Sequence, residues 1–394
     1  MVGLLAMVVL VGLGEKMADR FLPIYLMALG GGAYAIGVLS GLTNLLGALY
    51  SFPGGYLADR LGVKRSLLVF NAMAVAGYLI VILIPSWTAV IGGSILFLSW
   101  SAISLPATMG LVSQVLPTNK RTMGVTLHSL VRRLPMALGP VAGGFFICAW
   151  GEKEGIRYAF VCALGLAVVS AIVQQRLIDD EPAKQRKPDG SGHPLALFRL
   201  MSPALRKLLV ADILIRFCEQ IPQAFVVIWC MKTLTHPVSA VQFGVLTAIE
   251  MATAMLIYIP VAYFADRGSK KPFVVTTFLF FTLFPLVLLF SHSFIWLIAA
   301  FVLRGLKEFG EPTRKALIMD LAPEDRKAAM FGLYYLMRDV IVTGAAFGGA
   351  FLWMAGPAVN LLTAFGFGIL GTLWFAIYGS DLSAEQKRAR DTSA

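Results

Sequence analysis

Four ionisable residues, Glu15, Lys16, Asp19 and Arg20, stand in the stretch LGEKMADRFLP at 13–23, inside an apolar run that continues through Ile24, Tyr25, Leu26 and Met27. At about 100° per helical residue they fall on one face, and the spacing lets Lys16 pair with Asp19. A second group lies in FVLRGLKEFGEPTRKALIMD, where Arg304, Lys307, Glu308, Glu311, Arg314 and Lys315 share about 120° of a helix. Asp212, Arg216 and Glu219 share about 60° of another. Glu250, the pair Arg338 and Asp339, and His128 beside Arg132 and Arg133 are further ionisable groups within apolar runs. A carboxylate in a partly dry cavity can take up and release a proton, since burial and a nearby arginine pull its charge in opposite directions. Glu15, Asp19, Glu219, Glu250, Glu308 and Glu311 are the candidates for that role. Unpaired arginines, with Arg20, Arg133, Arg216, Arg304 and Arg338 as candidates, could grip a carboxylate or phosphate through bidentate contacts. The competing reading of each is an ion pair that only holds helices together. Lys307, Arg314, Lys315 and Asp320 lie towards one end of their run and read as gate or surface charges.

These groups must be positioned by the apolar runs around them. The 394 residues are 58% hydrophobic and 14% charged, with a mean hydropathy of +0.78; a soluble domain has about 45–50% and about 25%. The chain therefore reads as an integral membrane protein. Runs long enough to span a bilayer recur twelve times, at approximately 3–28, 33–57, 66–85, 88–114, 123–149, 157–177, 207–231, 239–264, 272–290, 294–318, 329–354 and 358–378. The first is too long for a secretory signal and lacks its basic flank. A charge at the centre of a span costs about 2.5–3.5 kcal/mol. So many of them must face one another across a water-filled cavity.

The formal charge of +11 is distributed in alternate loops. Lys64 and Arg65, Lys120 and Arg121, Arg186 and Lys187, Lys270 and Lys271, Arg326 and Lys327, and Lys387 and Arg388 follow even-numbered spans. The other loops are nearly uncharged, with GEKEGIR at 151–157 as the mixed exception. The positive-inside rule then places both termini in the cytoplasm. The charge is a topology signal, and no nucleic-acid partner is expected. Cys148, Cys162, Cys218 and Cys230 have neither metal-binding nor CxxC spacing, so no metal site and no cofactor is expected. His128 has only the adjacent Ser129 near it, which a helix points away, and no nucleophile–base pair suggests an enzyme.

The polar stretch DDEPAKQRKPDGSGHP at 179–194 separates six spans from six. Two bundles, 1–178 and 207–378, are expected around a cytoplasmic loop at 179–206, with a cytoplasmic tail at 379–394. A short surface helix fits within 195–209. The halves also match. Asp59 and Asp266, like Pro53 and Pro260, are offset by 207; Pro106 and Pro312, Pro117 and Pro323, and Arg132 and Arg338 by 206; Gly139, Gly143 and Gly144 map onto Gly344, Gly348 and Gly349 at 205. This is an internal duplication of a six-span unit.

GGYLADRLGVKR at 54–65 resembles the signature at the end of the second helix in the major facilitator superfamily, through Gly55, Asp59, Arg60, Gly62, Lys64 and Arg65. The resemblance implies an all-α membrane protein with 12 transmembrane helices in two pseudo-symmetric six-helix bundles. It also implies a conformational latch between halves at Gly55, Asp59, Arg60, Lys64 and Arg65 and at the repeat-related Asp266 and Arg267. Spans 1, 4, 7 and 10 would supply most of the cavity. LGPVAGGFF, with Gly139, Pro140, Gly143 and Gly144, is similar to the end of the superfamily's antiporter signature, although Pro135 replaces a glycine. The arginine that such exporters carry in span 4 is missing, where Leu98, Ser99 and Trp100 stand, and Arg304 occupies the repeat-related position.

The expectation is a transporter of the inner or plasma membrane that moves a small organic solute by alternating access. Its partners would be that small molecule, protons and membrane lipids, and it would act as a monomer exporting against protons. The cavity is expected to use Glu15, Asp19, Arg20, Arg133, Arg216, Glu219, Glu250, Arg304, Glu308, Glu311, Arg338 and Asp339. Alternatives are a carrier of phosphorylated or carboxylated metabolites, a ferroportin-like divalent-metal exporter suggested by GEKMADRF and Cys218, or a sensor that binds without transport.

Overall fold

A computed structural model describes residues 2–61, 63–97, 121–177, 198–265, 270–323 and 327–380, with side chains at 2–6, 8, 50–61, 63, 121–130, 177, 258–265 and 327–329 outside the description. Every regular element in it is helical. The N-terminal half holds α1 (Val2–Asp19), α2 (Leu22–Ala28), α3 (Ala33–Leu61), α4 (Val63–Leu83), α5 (Trp87–Phe97) and α6 (Arg121–Leu177). The second half holds α7 (Pro203–Gln223), α8 (Val226–Ile228), a π-helical turn at Trp229–Thr233, α9 (Ala240–Ala265) and α10 (Lys271–Phe290). It continues with α11 (Phe294–Leu306), α12 (Glu311–Leu321), α13 (Lys327–Ala355) and α14 (Pro357–Tyr378). Among the described residues, six helices are long and apolar enough to cross a membrane, or seven if α7 and 226–233, bent by 42°, form one span.

The expected fifth and sixth spans are the two arms of α6. Gly151, at φ 81° and ψ 173°, breaks them apart, a conformation that glycine adopts without a side-chain clash. The fourth span is described only to Phe97. The expected loop at 179–206 is outside the description up to residue 197. Its end shortens, because Ser202 Oγ accepts the Leu205 N–H and starts the seventh span at Pro203. Of the surface helix expected within 195–209, residues 198 and 199 are helical before the chain turns into α7.

Spans 1, 7 and 10, each a single apolar run in the sequence, are broken in the structure. The first breaks at Arg20 and Phe21, where the Phe21 N–H bonds the Ala18 carbonyl at 2.9 Å and Pro23 opens α2. The seventh breaks the same way, with Phe225 N–H on the Pro222 carbonyl at 2.8 Å. Each proline removes a backbone donor and crowds the preceding turn. The third break separates α11 from α12, where the Gly310 N–H finds Thr277 Oγ1 at 2.6 Å and Pro312 starts the next helix. Phe21, Ile24 and Met27 correspond to Phe225, Ile228 and Met231 at an offset of 204, so the duplication includes the break. Asn360 Nδ2 donates to the carbonyls of Ile221 and Gly349, which ties the broken span 7 to α13. Irregular backbone at membrane depth persists where protein or a cavity supplies such partners.

One hydrophobic cluster joins both halves at the end of the bundle that carries the short, nearly uncharged loops. It includes Phe21, Tyr25, Phe225, Trp229, Phe243 and Phe301. There α3 meets α13 so closely that a Cβ on Gly37 would lie 2.5 Å from Ala350 Cβ. Tyr34 and Phe351 stack edge to face beside this contact, and Lys232 pairs with Glu152 at 2.5 Å nearby. This end of the molecule is closed. Gly37→Val should force α3 from α13; Ser40→Cys, in a chain with its native cysteines replaced, should then react several-fold faster with a membrane-impermeant maleimide from this side.

Candidate functional site

A cavity of about 330 Å³ lies between the halves, beside the breaks in spans 1 and 7. Span 1 contributes Lys16, Asp19 and Arg20; α3 contributes Ser40, Thr43 and Asn44; span 7 contributes Gln220 and Gln223; and α11 contributes Arg304. Ile36, Leu39, Met136, Pro140, Val227 and Phe243 form apolar walls. Asn44 Nδ2 donates to Gln220 Oε1 across the halves at 3.1 Å, and Arg304 donates to Gln223 Oε1 at 2.7 Å. Mixed apolar walls with a few convergent polar groups suit a small solute.

Beneath the cavity the charges form layers. Lys16 bridges Glu15 at 3.0 Å and Asp19 at 2.8 Å, as its spacing predicts for Asp19. Arg20 reaches Glu250 of the other half at 3.7 Å, and Arg304 and Lys307 approach the same carboxylate at 3.4 and 3.7 Å. Glu219 binds Arg216 at 2.5 Å and Lys307 at 2.8 Å. Arg216 also faces Glu311 at 3.6 Å and Asp212 at 4.0 Å. Deeper still, Arg314 pairs with Asp212 and, at 2.7 Å, with Glu311, while Arg338 and the Tyr334 hydroxyl also reach Asp212. Arg338 holds Asp339 at 2.7 Å, and Arg133 joins Glu308 across the halves at 2.9 Å. Apart from the half-exposed Lys315, eight carboxylates and eight cations make up these pairs.

The geometry corrects two expectations. Arg20, Arg133, Arg216, Arg304 and Arg338 are not unpaired, for each has a carboxylate within 4 Å. Lys307 and Arg314 are not surface charges; Arg314 is 1% exposed and Lys307 sits between Glu219 and Glu250. Lys315 is exposed, and Asp320 pairs with Lys270. Of the expected cavity residues, Asp19, Arg20 and Arg304 line the space, and the others form the network behind it. The amides Asn44, Gln220 and Gln223 were overlooked. Their signal was present, since Gln220 and Gln223 continue the charged face of span 7.

The antiporter-like stretch is a packing surface. A Cβ on Gly139 would lie 2.7 Å from Lys16 Cβ, and one on Gly143 would collide with the Met17 carbonyl oxygen, so both hold the first arm of α6 against α1. Gly144 meets Ala240 of α9 in the same way, and Pro140 borders the cavity. Gly55, Asp59 and Arg60 lie in the last turns of α3, with side chains outside the description, and Asp266 and Arg267 lie outside the described residues. Lys64 donates to the Gln175 carbonyl at 3.1 Å, and Arg65 is exposed. The His128 side chain and residues 98–100 are also outside the description. Cys218, the soft ligand considered for a metal, donates its thiol to the Phe281 carbonyl.

Removing one member of a buried ion pair strands the other, at a cost of about 3–5 kcal/mol. Arg314→Gln should therefore lower the thermal midpoint in detergent sharply. The double variant Asp212→Asn/Arg314→Gln should recover part of that loss, which a thermal melt of the three proteins would read.

The sequence profile of the Major Facilitator Superfamily matches residues 4–235 and again 208–393. The chain is 28% identical over 155 residues to the uncharacterized MFS-type transporter YfkF of Bacillus subtilis, covering 39% of each protein. It is 29% identical over 178 residues to the quinolone resistance protein NorA of Staphylococcus aureus, covering 43% of each. The aligned regions thus span less than half the length of these curated relatives. The nucleoside transporter NupG, solved as a mutant, superposes with a TM-score of 0.80 at 13% identity over 96% of this chain and 99% of that one. A POT family transporter solved with 5-aminolevulinic acid gives 0.77 at 13% identity, over 95% and 96%. The doubled profile match and the shared fold, with its two halves around a central polar cavity, agree on one conclusion: this chain belongs to the Major Facilitator Superfamily.

Proposed function

We propose that the protein is a secondary active transporter that exports a small organic solute in exchange for protons. The observation that carries this reading is the cavity at the breaks of spans 1 and 7, spanned by ion pairs and an amide pair that cross from one half to the other. Such contacts are weak enough individually to exchange when the halves rock about a central site. The bundles 1–178 and 203–378 are the rocking bodies, joined by the loop that ends at Ser202 and followed by the tail at 379–394. Basic loops and both termini face the cytoplasm of the inner or plasma membrane. The closed, nearly uncharged end is then external.

Exchange against protons is supported by the carboxylates beside the cavity, Asp19 as a lining residue and Glu15 and Glu250 behind it. It is also supported by the close seat of Gly139 and Gly143 on α1, which couples that helix to α6. Protonation shifts a conformational balance when the two states bind the proton unequally. The latch at Asp59, Arg60, Lys64 and Arg65, with Asp266 and Arg267, would hold one end shut in the opposite state. The relative named for quinolone resistance favours export of an organic compound. The protein acts without a cofactor, as a monomer in lipid, and alters no covalent bond in its solute.

Reconstitution into liposomes loaded with a pH-sensitive dye tests this. A transported quinolone or related organic solute should drive proton movement in the opposite direction, and Glu15→Gln should reduce that movement more than it reduces solute binding. Solute flux with no proton movement would remove the coupling. Folded protein that moves none of the organic cations, anions or neutral solutes offered would remove transport itself.

A further inference from the structure

Glu250 stands apart from the other carboxylates in the network. It is 0% exposed on α9, and neither of its oxygens receives a hydrogen bond. Three cations surround it, Arg304 at 3.4 Å and Arg20 and Lys307 at 3.7 Å, all longer than the 2.9 Å or less of a tight pair elsewhere in this network. Charge-assisted hydrogen bonds close to about 2.7–2.9 Å when geometry allows. Glu219, the acid that shares Lys307 with it, is already held by Arg216 and Lys307. Glu250 therefore keeps the cations neutralised without engaging any of them tightly.

Two of those cations, Arg20 and Arg304, line the cavity, whereas Glu250 does not. A molecule in the cavity can therefore reach the two arginines without first meeting the carboxylate. Arg304 is fixed for such a contact, with Gln223 on one nitrogen and the rings of Phe284 and Phe301 5.0 and 5.6 Å from its guanidinium carbon. Stacking on aromatic faces orients a guanidinium without using its donors. Asp19, the one acid among the described lining residues, is occupied by Lys16 at 2.8 Å, so a cationic group finds no free carboxylate among them.

We propose that Glu250 is an internal anion standing in for the carboxylate, phosphate or sulfonate of the transported solute, which binds Arg20 and Arg304 by drawing them away from Glu250. This deepens the transport reading, on which it rests for how the solute enters and leaves. It also supplies a trigger. Arg20 belongs to the N-terminal half and Glu250 to the C-terminal half, so the arriving anion loosens one of the ion pairs that join the halves. The amides of Asn44 and Gln220 are placed to receive the polar remainder of the solute.

The test uses purified full-length protein in detergent, with sulfate, methylphosphonate and succinate titrated against chloride at equal ionic strength. Thermal stabilisation by a bound anion follows mass action. The wild type should show saturable stabilisation by at least one of the three probes. In Glu250→Gln the half-saturating concentration should fall about tenfold or more, the scale of one hydrogen bond to a charged group. Arg20→Gln, which alters a partly exposed side chain, should lose the response even if Glu250→Gln does not fold. Equal behaviour of the three probes and chloride in wild type, or an unchanged response in Arg20→Gln, would overturn the assignment. Liposome flux separates the two readings: anion stabilisation without flux sinks transport and leaves the site, whereas flux of cationic solutes with no anion effect sinks the site and leaves transport.

Discussion

A charge removed from water must be paired, and this constraint organises the centre of the molecule. Bringing one carboxylate or guanidinium out of water costs several kcal/mol even after relaxation. The sequence nevertheless places eight acids and eight bases within its apolar spans, and the fold brings them together in matched layers. The deepest layer, around Asp212 and Arg314, is packed as tightly as a core. The layer nearest the cavity, around Glu250, is held at longer distances. Lys16 and Asp19 at the cavity wall still pair at 2.8 Å, so the loose contacts are those of Glu250, set between a rigid base and the space where a solute would sit.

The breaks in spans 1, 7 and 10 follow from the same requirement. A continuous helix satisfies its own backbone and leaves little room for a polar cavity. Prolines at 23, 222 and 312 interrupt three helices at the depth of the charges. Residues that pack closely, Gly139 and Gly143 against α1 and Gly37 against α13, then bring the segments near enough for side chains to reach across. Sulfate-scale and metabolite-scale ligands fit a cavity of about 330 Å³, whereas its apolar walls leave space for an organic body. Membership of the superfamily fits the proposed movement of a solute, and the chemistry of the lining narrows which kinds of solute suit it.

Much of the architecture was readable before any coordinates. Hydropathy marked the spans, since only apolar helices of sufficient length cross lipid. Nearly constant offsets, 207 between Asp59 and Asp266 and 206 between Arg132 and Arg338, marked the duplication. The face shared by Glu15, Lys16, Asp19 and Arg20 marked a polar pathway, and Lys16 does pair with Asp19. The interruptions were less legible, because Pro222 sits inside a run whose hydropathy is continuous and Arg20 differs little from its charged neighbours in a periodicity count. Arg314 was misplaced for a related reason: distance along a helix from its end suggested the surface, while neighbouring helices covered it.

Local chemistry carried by the chain alone was enough to establish a duplicated, all-helical membrane protein with a charged centre, because hydrophobic length, charge bias and repeat spacing are properties of single segments. Which charges meet was decided only in three dimensions. The partners Arg20 and Glu250, Arg133 and Glu308, and Asp212 and Arg314 are far apart in the sequence, and no periodicity relates them. A pair energy depends on distance and on the exclusion of water, and both quantities exist only once the helices have packed.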